Sequence, residues 1–314
     1  MEGIFELVKG LYYHRFEVCF KPADDISVSS WSGAVLRNRF LYSAENVFVE
    51  PGISLRQWLD TLPLPGSHSL YKHLAGGFPK GFLFDCSTLP FKGGFTVKKN
   101  KTYSFGMILI GKCAEKAPLF AEALKIMFSE GWGTPPVPSC LTGITECMGG
   151  RTLPLFNLET DNRNDVILAL EFKTPVNLIN RPSQRNHEGY QGKLNCFPSF
   201  YQFVRSIMYR LVTLNILYTD NVKDMNPKEI KERIETFIRT ASDAMLLSAD
   251  IRYEKRHSTP RMDARNVYVM CGYCGTMVYG NVDSRFVPLV SFASELGVGN
   301  DINFGLGTFG VEYK

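Results

Sequence analysis

The chain has 314 residues, 45% of them hydrophobic and 21% charged, with a formal net charge of +4. This composition excludes a disordered chain and supplies core material for one oversized domain or two ordinary ones. The longest apolar stretches, such as Met107–Ile110 and Val166–Leu170, fall far below the roughly 20 residues that a spanning helix needs, so no membrane partner is expected.

Glu2, Glu6 and Lys9 interrupt the apolar residues at the amino terminus, which does not read as a signal peptide. Phe16–Phe20 reads as a short strand, Lys21–Ser30 as turn-like, and Trp31–Tyr42 as a helix whose Val35, Leu36, Arg39 and Phe40 give a mixed apolar and basic face. Tyr103–Ile110 has strong β character, and Ala117–Phe128 is a helix stopped by Gly131 and Gly133. Gly131–Arg151 is rich in glycine and proline and suits a domain junction. Asp161–Asn164 is a polar break, and the boundary is placed near residue 160, giving units 1–160 and 161–314.

The second unit repeats the alternation. Val166–Phe172 is a strand ended by Thr174–Pro175. Phe197–Tyr218 is a long helix with Phe200, Phe203, Val204, Ile207, Leu211, Leu214 and Leu217 on one face. Another helix starts at Asn226–Pro227. Val267–Cys274 and Thr276–Tyr279 form a hairpin around Gly275, Phe286–Glu295 is helical, and Phe309–Tyr313 is a closing strand. Two α+β halves with strands and helices in split order fit tandem ferredoxin-like (RRM-like) domains.

Eight cysteines are ordinary usage at this length, and Cys19, Cys113 and Cys271 sit in apolar runs, as reduced thiols in a cytoplasm would. Cys271-x-x-Cys274 has ligand spacing, but a structural zinc site wants a second pair, and Cys140 and Cys147 are seven apart. No metal and no cofactor are expected. Basic residues cluster at Lys92, Lys98, Lys99 and Lys101, at Arg181, Arg185 and Lys193, and at Arg252, Lys255, Arg256, Arg261 and Arg265. Such clusters are either solvated loops or a grip on a polyanion.

Gly297-Val298-Gly299-Asn300-Asp301-Ile302-Asn303-Phe304-Gly305-Leu306-Gly307-Thr308-Phe309-Gly310 has five glycines in fourteen positions. Glycine allows positive φ and close backbone approach, and consecutive free N–H groups can bind phosphate oxygens. No Lys-Ser/Thr pair follows, and the glycines lie after a helix and before a strand, the reverse of a dinucleotide fingerprint. A structural turn packing the strand beneath the helix and a phosphate-contacting loop both remain open.

Phe286-Val287-Pro288-Leu289-Val290, then Gly-Val-Gly and Phe-Gly-Leu-Gly, resembles the terminal signature of the CRISPR repeat-processing endoribonucleases of the RAMP superfamily. Arg256-His257-Ser258-Thr259-Pro260-Arg261 before Cys271–Tyr279 resembles the family's basic stretch leading into a glycine-containing hairpin. Thr174-Pro175 with Phe200–Tyr218, and Leu109-Ile110-Gly111 with Gly131-Trp132-Gly133, resemble its second-domain and first-domain elements. Asn300 departs from the family, which often has lysine there. The resemblance implies two RRM-like domains holding CRISPR repeat RNA in a cleft, as a monomer or homodimer, within or apart from a CRISPR effector complex. Arg37, Arg39, Arg252, Arg256, Arg261, Gly297, Gly299, Gly305 and Gly307 would contact the RNA, with Tyr12, Tyr13 and Tyr253 available to stack on bases.

The family's reaction is attack of a ribose 2′-OH on the adjacent phosphate of precursor crRNA, leaving a 2′,3′-cyclic phosphate and a 5′-OH without a metal. It needs an acid, a base and cations around the phosphorane. In many relatives the catalytic histidine lies on the first helix. Here that helix carries Arg37 and Arg39 instead, and arginine does not serve as a base. The candidates are therefore His14, His68, His73 and His257. His187 reads as part of a basic loop that touches the substrate. The alternative is a non-catalytic RNA-binding RAMP subunit of a CRISPR ribonucleoprotein.

Overall fold

The structure is a computed structural model. It describes residue 4 and residues 6–28, 31–61, 79–89, 94–153, 165–178, 197–219, 226–258 and 268–314, with the backbone alone at 61, 256–258, 268 and 269. Strand β1 (Tyr12–Pro22) is followed by β2 (Ile26–Val28), α1 (Ser32–Ser43), the small pair β3 (Phe48–Glu50) and β4 (Ile53–Ser54), and α2 (Leu55–Thr61). Next come β5 (Phe82–Asp85), β6 (Phe95–Val97), β7 (Tyr103–Ile110), α3 (Lys112–Glu115), α4 (Ala117–Glu130) and β8 (Ser139–Thr152). The remaining elements are β9 (Asp165–Val176), α5 (Phe200–Tyr218), α6 (Pro227–Ile238), β10 (Met245–Ser258), β11 (Tyr268–Asp283), α7 (Phe286–Leu296) and β12 (Phe309–Tyr313).

Two antiparallel sheets carry the fold, with strand orders β5-β7-β1-β8 and β10-β11-β9-β12. Numbered within its own half, each reads 2-3-1-4, with one helical crossover after the first strand and another after the third. That is the ferredoxin-like βαββαβ order, twice. In the first half Val18 and Phe20 are buried while the alternate Glu17 and Lys21 are exposed, so β1 has one core face. Phe20 stacks on Phe128 of α4 at 4.9 Å, and Phe40 of α1 stacks on Phe120 of α4 at 5.5 Å over Phe82 and Phe84.

Four expectations change. Lys21–Ser30 contains β2, which pairs with β6. Gly131–Arg151 is no junction, because β8 within it is a fourteen-residue edge strand of the first sheet. Thr174–Pro175 does not end β9. The residue before a proline favours extended backbone, and the missing proline N–H falls at a bulge where Lys173 and Thr174 N–H both donate to Thr308 O. The expected hairpin around Gly275 is one continuous strand, β11, in which Gly275 takes φ +113°. The true hairpin partner is β10. The strands of the first sheet end at Thr152 and those of the second begin at Asp165; residues 154–164, where the boundary was expected, lie outside the described residues.

Helix α5 starts at a capping box, with Ser199 Oγ accepting from Gln202 N–H at 3.2 Å and Gln202 Oε1 accepting from Ser199 N–H at 3.1 Å. From Phe203 onward it is buried on nearly every side rather than on one face, apart from Arg205. It lies between the halves. Asn215 Nδ2 donates to Leu7 O at 3.0 Å and Lys9 O at 3.1 Å, and Tyr218 OH donates to Pro79 O at 3.0 Å. A Cβ on Gly111 would lie 2.2 Å from Tyr218 O, so the strand end and the helix end meet backbone to backbone. One hydrophobic core consequently runs through both halves.

Candidate nucleic-acid interface

The glycine-rich turn is built by anchoring both of its ends. Arg210 on α5 is buried and donates through Nε and Nη2 to Leu296 O, the last carbonyl of α7, at 3.2 and 2.9 Å. Burial pulls this guanidinium down to about 10, and the carboxyl-terminal carbonyls of a helix are favourable company for a cation. Beyond Gly297, Val298 N–H donates to Gly307 O at 3.0 Å, and Gly307 N–H donates to Pro175 O at 3.0 Å. Asn300 N–H donates to Asn177 O and Gly305 N–H to Ile302 O, both at 2.8 Å. A Cβ on Gly299 or Gly307 would sit 2.4 Å from Asn177 O or 2.3 Å from Val298 O. At Gly305 and Gly307, therefore, the expected free N–H groups are already engaged, and close packing explains the glycines.

The turn locks onto the start of α1. Trp31 Nε1 donates to Phe304 O, and Gly33 is required because a Cβ there would lie 2.2 Å from that same oxygen. Trp31, Ala34, Met270 and Leu306 make a small apolar cluster with Phe304 against it, so α1, the turn and the start of β11 meet at one place. Arg37 extends from α1 over the Phe304 ring, 4.8 Å from its centroid. Its Nη1 donates to Asn38 Oδ1 at 3.1 Å, and burial lowers its pKa despite the field of Asp60. On the strand register, Arg252 pairs with Cys274 and position 256 with Met270. Arg252 and Met270 therefore share a sheet face, but Arg252 lies four residues along β10 from the position opposite Met270.

Other candidates fall elsewhere. Arg39 gives Nε and Nη2 to Gly131 O at 2.9 and 2.7 Å, satisfying the carboxyl end of α4. Arg252 is exposed, with Nε donating to Glu254 Oε1 at 2.8 Å. Position 256 is described by its backbone alone, and Arg261 lies outside the described residues. Tyr13 cannot offer a base its face, since it is 3% exposed and packs edge-on to Phe292 at 5.6 Å. Tyr12 OH donates to Glu115 Oε1 at 3.1 Å, and burial followed by this bond raises the phenol to about 12. Tyr253 packs edge-on against Tyr273 at 5.3 Å. Cys271 and Cys274, three residues apart on a continuous strand, lie on opposite faces rather than converging.

Among the histidines, His14 is the one whose side chain can be described. It stands on β1 beside β8, with Nδ1 2.6 Å from Glu146 Oε1 and its ring stacked 6.4 Å from Phe16. A carboxylate on Nδ1 fixes the tautomer and leaves Nε2 as the acting nitrogen. His68, His73 and His187 lie outside the described residues, and His257 is described by its backbone alone, within β10. Among the described residues, no hydrogen bond, ion pair or ring contact joins His14 to the glycine-rich turn. Its neighbour Arg15 forms a bridge instead, donating to Asp85 Oδ2 at 2.6 Å and to Glu295 Oε2 at 2.9 Å, one residue from the carbonyl that Arg210 holds.

Sequence reading missed Glu146, Phe304 and the Arg15–Asp85–Glu295 network. Glu146 lay in the stretch read as a junction. Phe304 stood inside the terminal signature, among the glycines that define it.

Two ferredoxin-like halves joined through a shared helix, with a glycine-rich turn of the second docked on the first helix of the first, define a tandem ferredoxin-like protein. Residues 170–309 match the model of the CRISPR-associated endoribonuclease Cas6 family. No curated protein matches the chain. A solved Cas6 (TTHB231) product complex is similar over 96% of this chain and 99% of that one, with 14% identity and a TM-score of 0.59. A partial Cas6-RT-Cas1–Cas2 complex is similar over 97% of this chain, which spans 46% of that one, with 9% identity and a TM-score of 0.52. At these identities the likeness is one of fold.

Proposed function

We propose that this protein binds CRISPR repeat RNA and cleaves precursor crRNA as a metal-independent endoribonuclease. The observation that carries the reading is the docking of the glycine-rich turn, which lies in the segment matched to Cas6, onto α1, where Arg37 covers the Phe304 ring. Cations placed there neutralise phosphates and hold the RNA backbone. His14 is the proposed base for the 2′-OH through Nε2, with Glu146 orienting it through Nδ1. Attack of the 2′-oxygen on phosphorus forms the cyclic phosphate and expels the 5′-oxygen, which takes a proton from a general acid. His68, His73 and His257 remain proposed alternatives for either proton transfer. Gly297 and Gly299, with positions 256 and 261, complete the proposed RNA contacts.

The second reading, an RNA-binding subunit that does not cut, is favoured by one feature. Helix α1 presents Arg37 and Arg39 without a histidine, and Arg39 is bound to Gly131 O. Incubating the purified protein with its cognate repeat RNA in EDTA separates the two. A fixed-length product ending in a cyclic phosphate supports cleavage. Tight binding without a product supports the subunit, and no binding at moderate salt overturns both.

A further inference from the structure

Strand β8 lies at the edge of the first sheet, and its register against β1 slips twice near His14. Tyr13 pairs with Arg151 and Arg15 with Met148, so Gly149 and Gly150 together oppose His14. Phe16 then pairs with Glu146, which leaves Cys147 over. Bulges of this kind bend a strand and re-aim its side chains.

The two glycines stand there for different reasons. Gly150 takes φ +59°, and a Cβ on it would meet nothing within 4 Å among the described residues. Its backbone alone calls for glycine. Gly149 has no positive φ, so its backbone admits other residues. What it lacks is room. A Cβ there would lie 2.6 Å from Glu146 Oε1, 3.3 Å from Glu146 Cδ and 3.8 Å from His14 Cε1. That oxygen is the one 2.6 Å from His14 Nδ1. The His14 and Glu146 side chains are 29% and 46% exposed, so the core does not wall the carboxylate in. An exposed glutamate gives up rotamer freedom to hold one geometry, which makes the shape of its immediate surroundings decisive.

We propose that Gly149 is a positioning residue for the His14–Glu146 pair: the space left by its absent side chain is the slot through which the Glu146 carboxylate reaches Nδ1. The inference rests on the reading of His14 as the base and deepens it, because a carboxylate at Nδ1 is what leaves Nε2 bare. A methyl at position 149 occupies the slot. Glu146 then swings away, since the obstructing atom is the free end of its side chain.

The 15N spectrum of the histidine rings reads the tautomer directly in the full-length protein at about pH 9, where an ordinary imidazole is neutral. His14→Ala, by losing one signal, identifies His14 among the five histidines. In the wild type His14 is expected to carry its proton on Nδ1. In Gly149→Ala the proton is expected to move toward Nε2, with the urea midpoint and RNA affinity near wild type. Single-turnover cleavage of repeat RNA should fall by up to about 10²-fold, the cost of misplacing a reacting group by an ångström. Gly150→Ala, which strains the backbone without filling the slot, should lower the midpoint and keep the wild-type tautomer. A Gly149→Ala spectrum identical to the wild type overturns the slot, and so does the same tautomer change in Gly150→Ala. If Gly149→Ala moves the proton but cleaves at the wild-type rate, the slot stands and His14 loses its place as the base. If the wild type does not cleave, the proposed reaction fails, and the spectra still decide the slot.

Discussion

At the scale of single residues, adjacent positions on β1 divide the labour. His14 points to Glu146 on the neighbouring strand, while Arg15, on the other face, ties β5 to α7. If His14 is the base, His14→Ala should lower the cleavage rate by about 10²–10⁴-fold, the range for a general base, with RNA affinity near the wild-type value. Glu146→Gln, which can still bond Nδ1, should lose less. Single-turnover cleavage beside filter binding checks both, and wild-type cleavage by His14→Ala would transfer the role to another group. Arg15 has a different consequence. Burial pushes the Asp85 carboxyl up, but hydrogen bonds from Ser87 and Arg15 outweigh it and hold the group below its ordinary value. A depressed carboxylate adds stability above its unfolded pKa, about 3.9, and loses it as pH falls through the folded value. Urea midpoints should therefore drop as the wild type is taken below about pH 4. Asp85→Asn should show a shallower drop, and equal slopes would mean that the bridge contributes nothing to acid sensitivity.

At the scale of elements, the docking of the terminal turn on α1 combines the Trp31 indole bond and a small apolar cluster with one backbone-to-backbone approach, at Gly33. Gly33→Ala would drive a methyl into Phe304 O, 2.2 Å from the ideal Cβ, where helix and turn are each fixed by their own hydrogen bonds. Overpacking of this kind costs about 1–3 kcal/mol. Gly143→Ala, on a strand with nothing within 4 Å, serves as the control and should be near neutral. Chemical denaturation of the two variants measures the difference, and equal stabilities would show that the turn yields easily. The periodic segments were legible in the sequence for a simple reason. Tyr103–Ile110 and Phe309–Tyr313 are β-rich runs bounded by breakers, and Ala117–Phe128 has an apolar stripe with a glycine stop. The failures were at places decided by distant partners. A proline inside β9 and a glycine inside β11 look like breaks locally, yet the bulge opposite Thr308 and the long pairing with β10 carry the strands through. The clustering of Arg37 with the terminal turn was legible only as two separate motifs, because residues 37 and 304 meet through tertiary packing.

At the scale of the whole molecule, the repeated strand order suggests two autonomous domains, and the packing argues against their autonomy. A helix with one apolar stripe would belong to the second half alone. Helix α5 instead buries almost its full circumference, which requires neighbours on both sides. Its polar positions reinforce the point. Asn215 satisfies the carbonyls of Leu7 and Lys9 in the first half, Tyr218 reaches Pro79, and Arg210 holds the end of α7 in the second. Separating the halves would expose that apolar circumference and strip the Leu7 and Lys9 carbonyls of their donor, so neither half gains by unfolding first. Thermal unfolding should accordingly be a single calorimetric transition whose van't Hoff enthalpy equals the calorimetric one. Asn215→Leu, which removes the donor but keeps the branched shape, should lower the midpoint by a few degrees, since about 1 kcal/mol moves a chain of 150–250 residues by about 2–4 °C and a longer chain by less. It should do so without splitting the peak. Two resolved transitions in the wild type would mean that α5 leaves with one half and that the shared core is weaker than its burial implies.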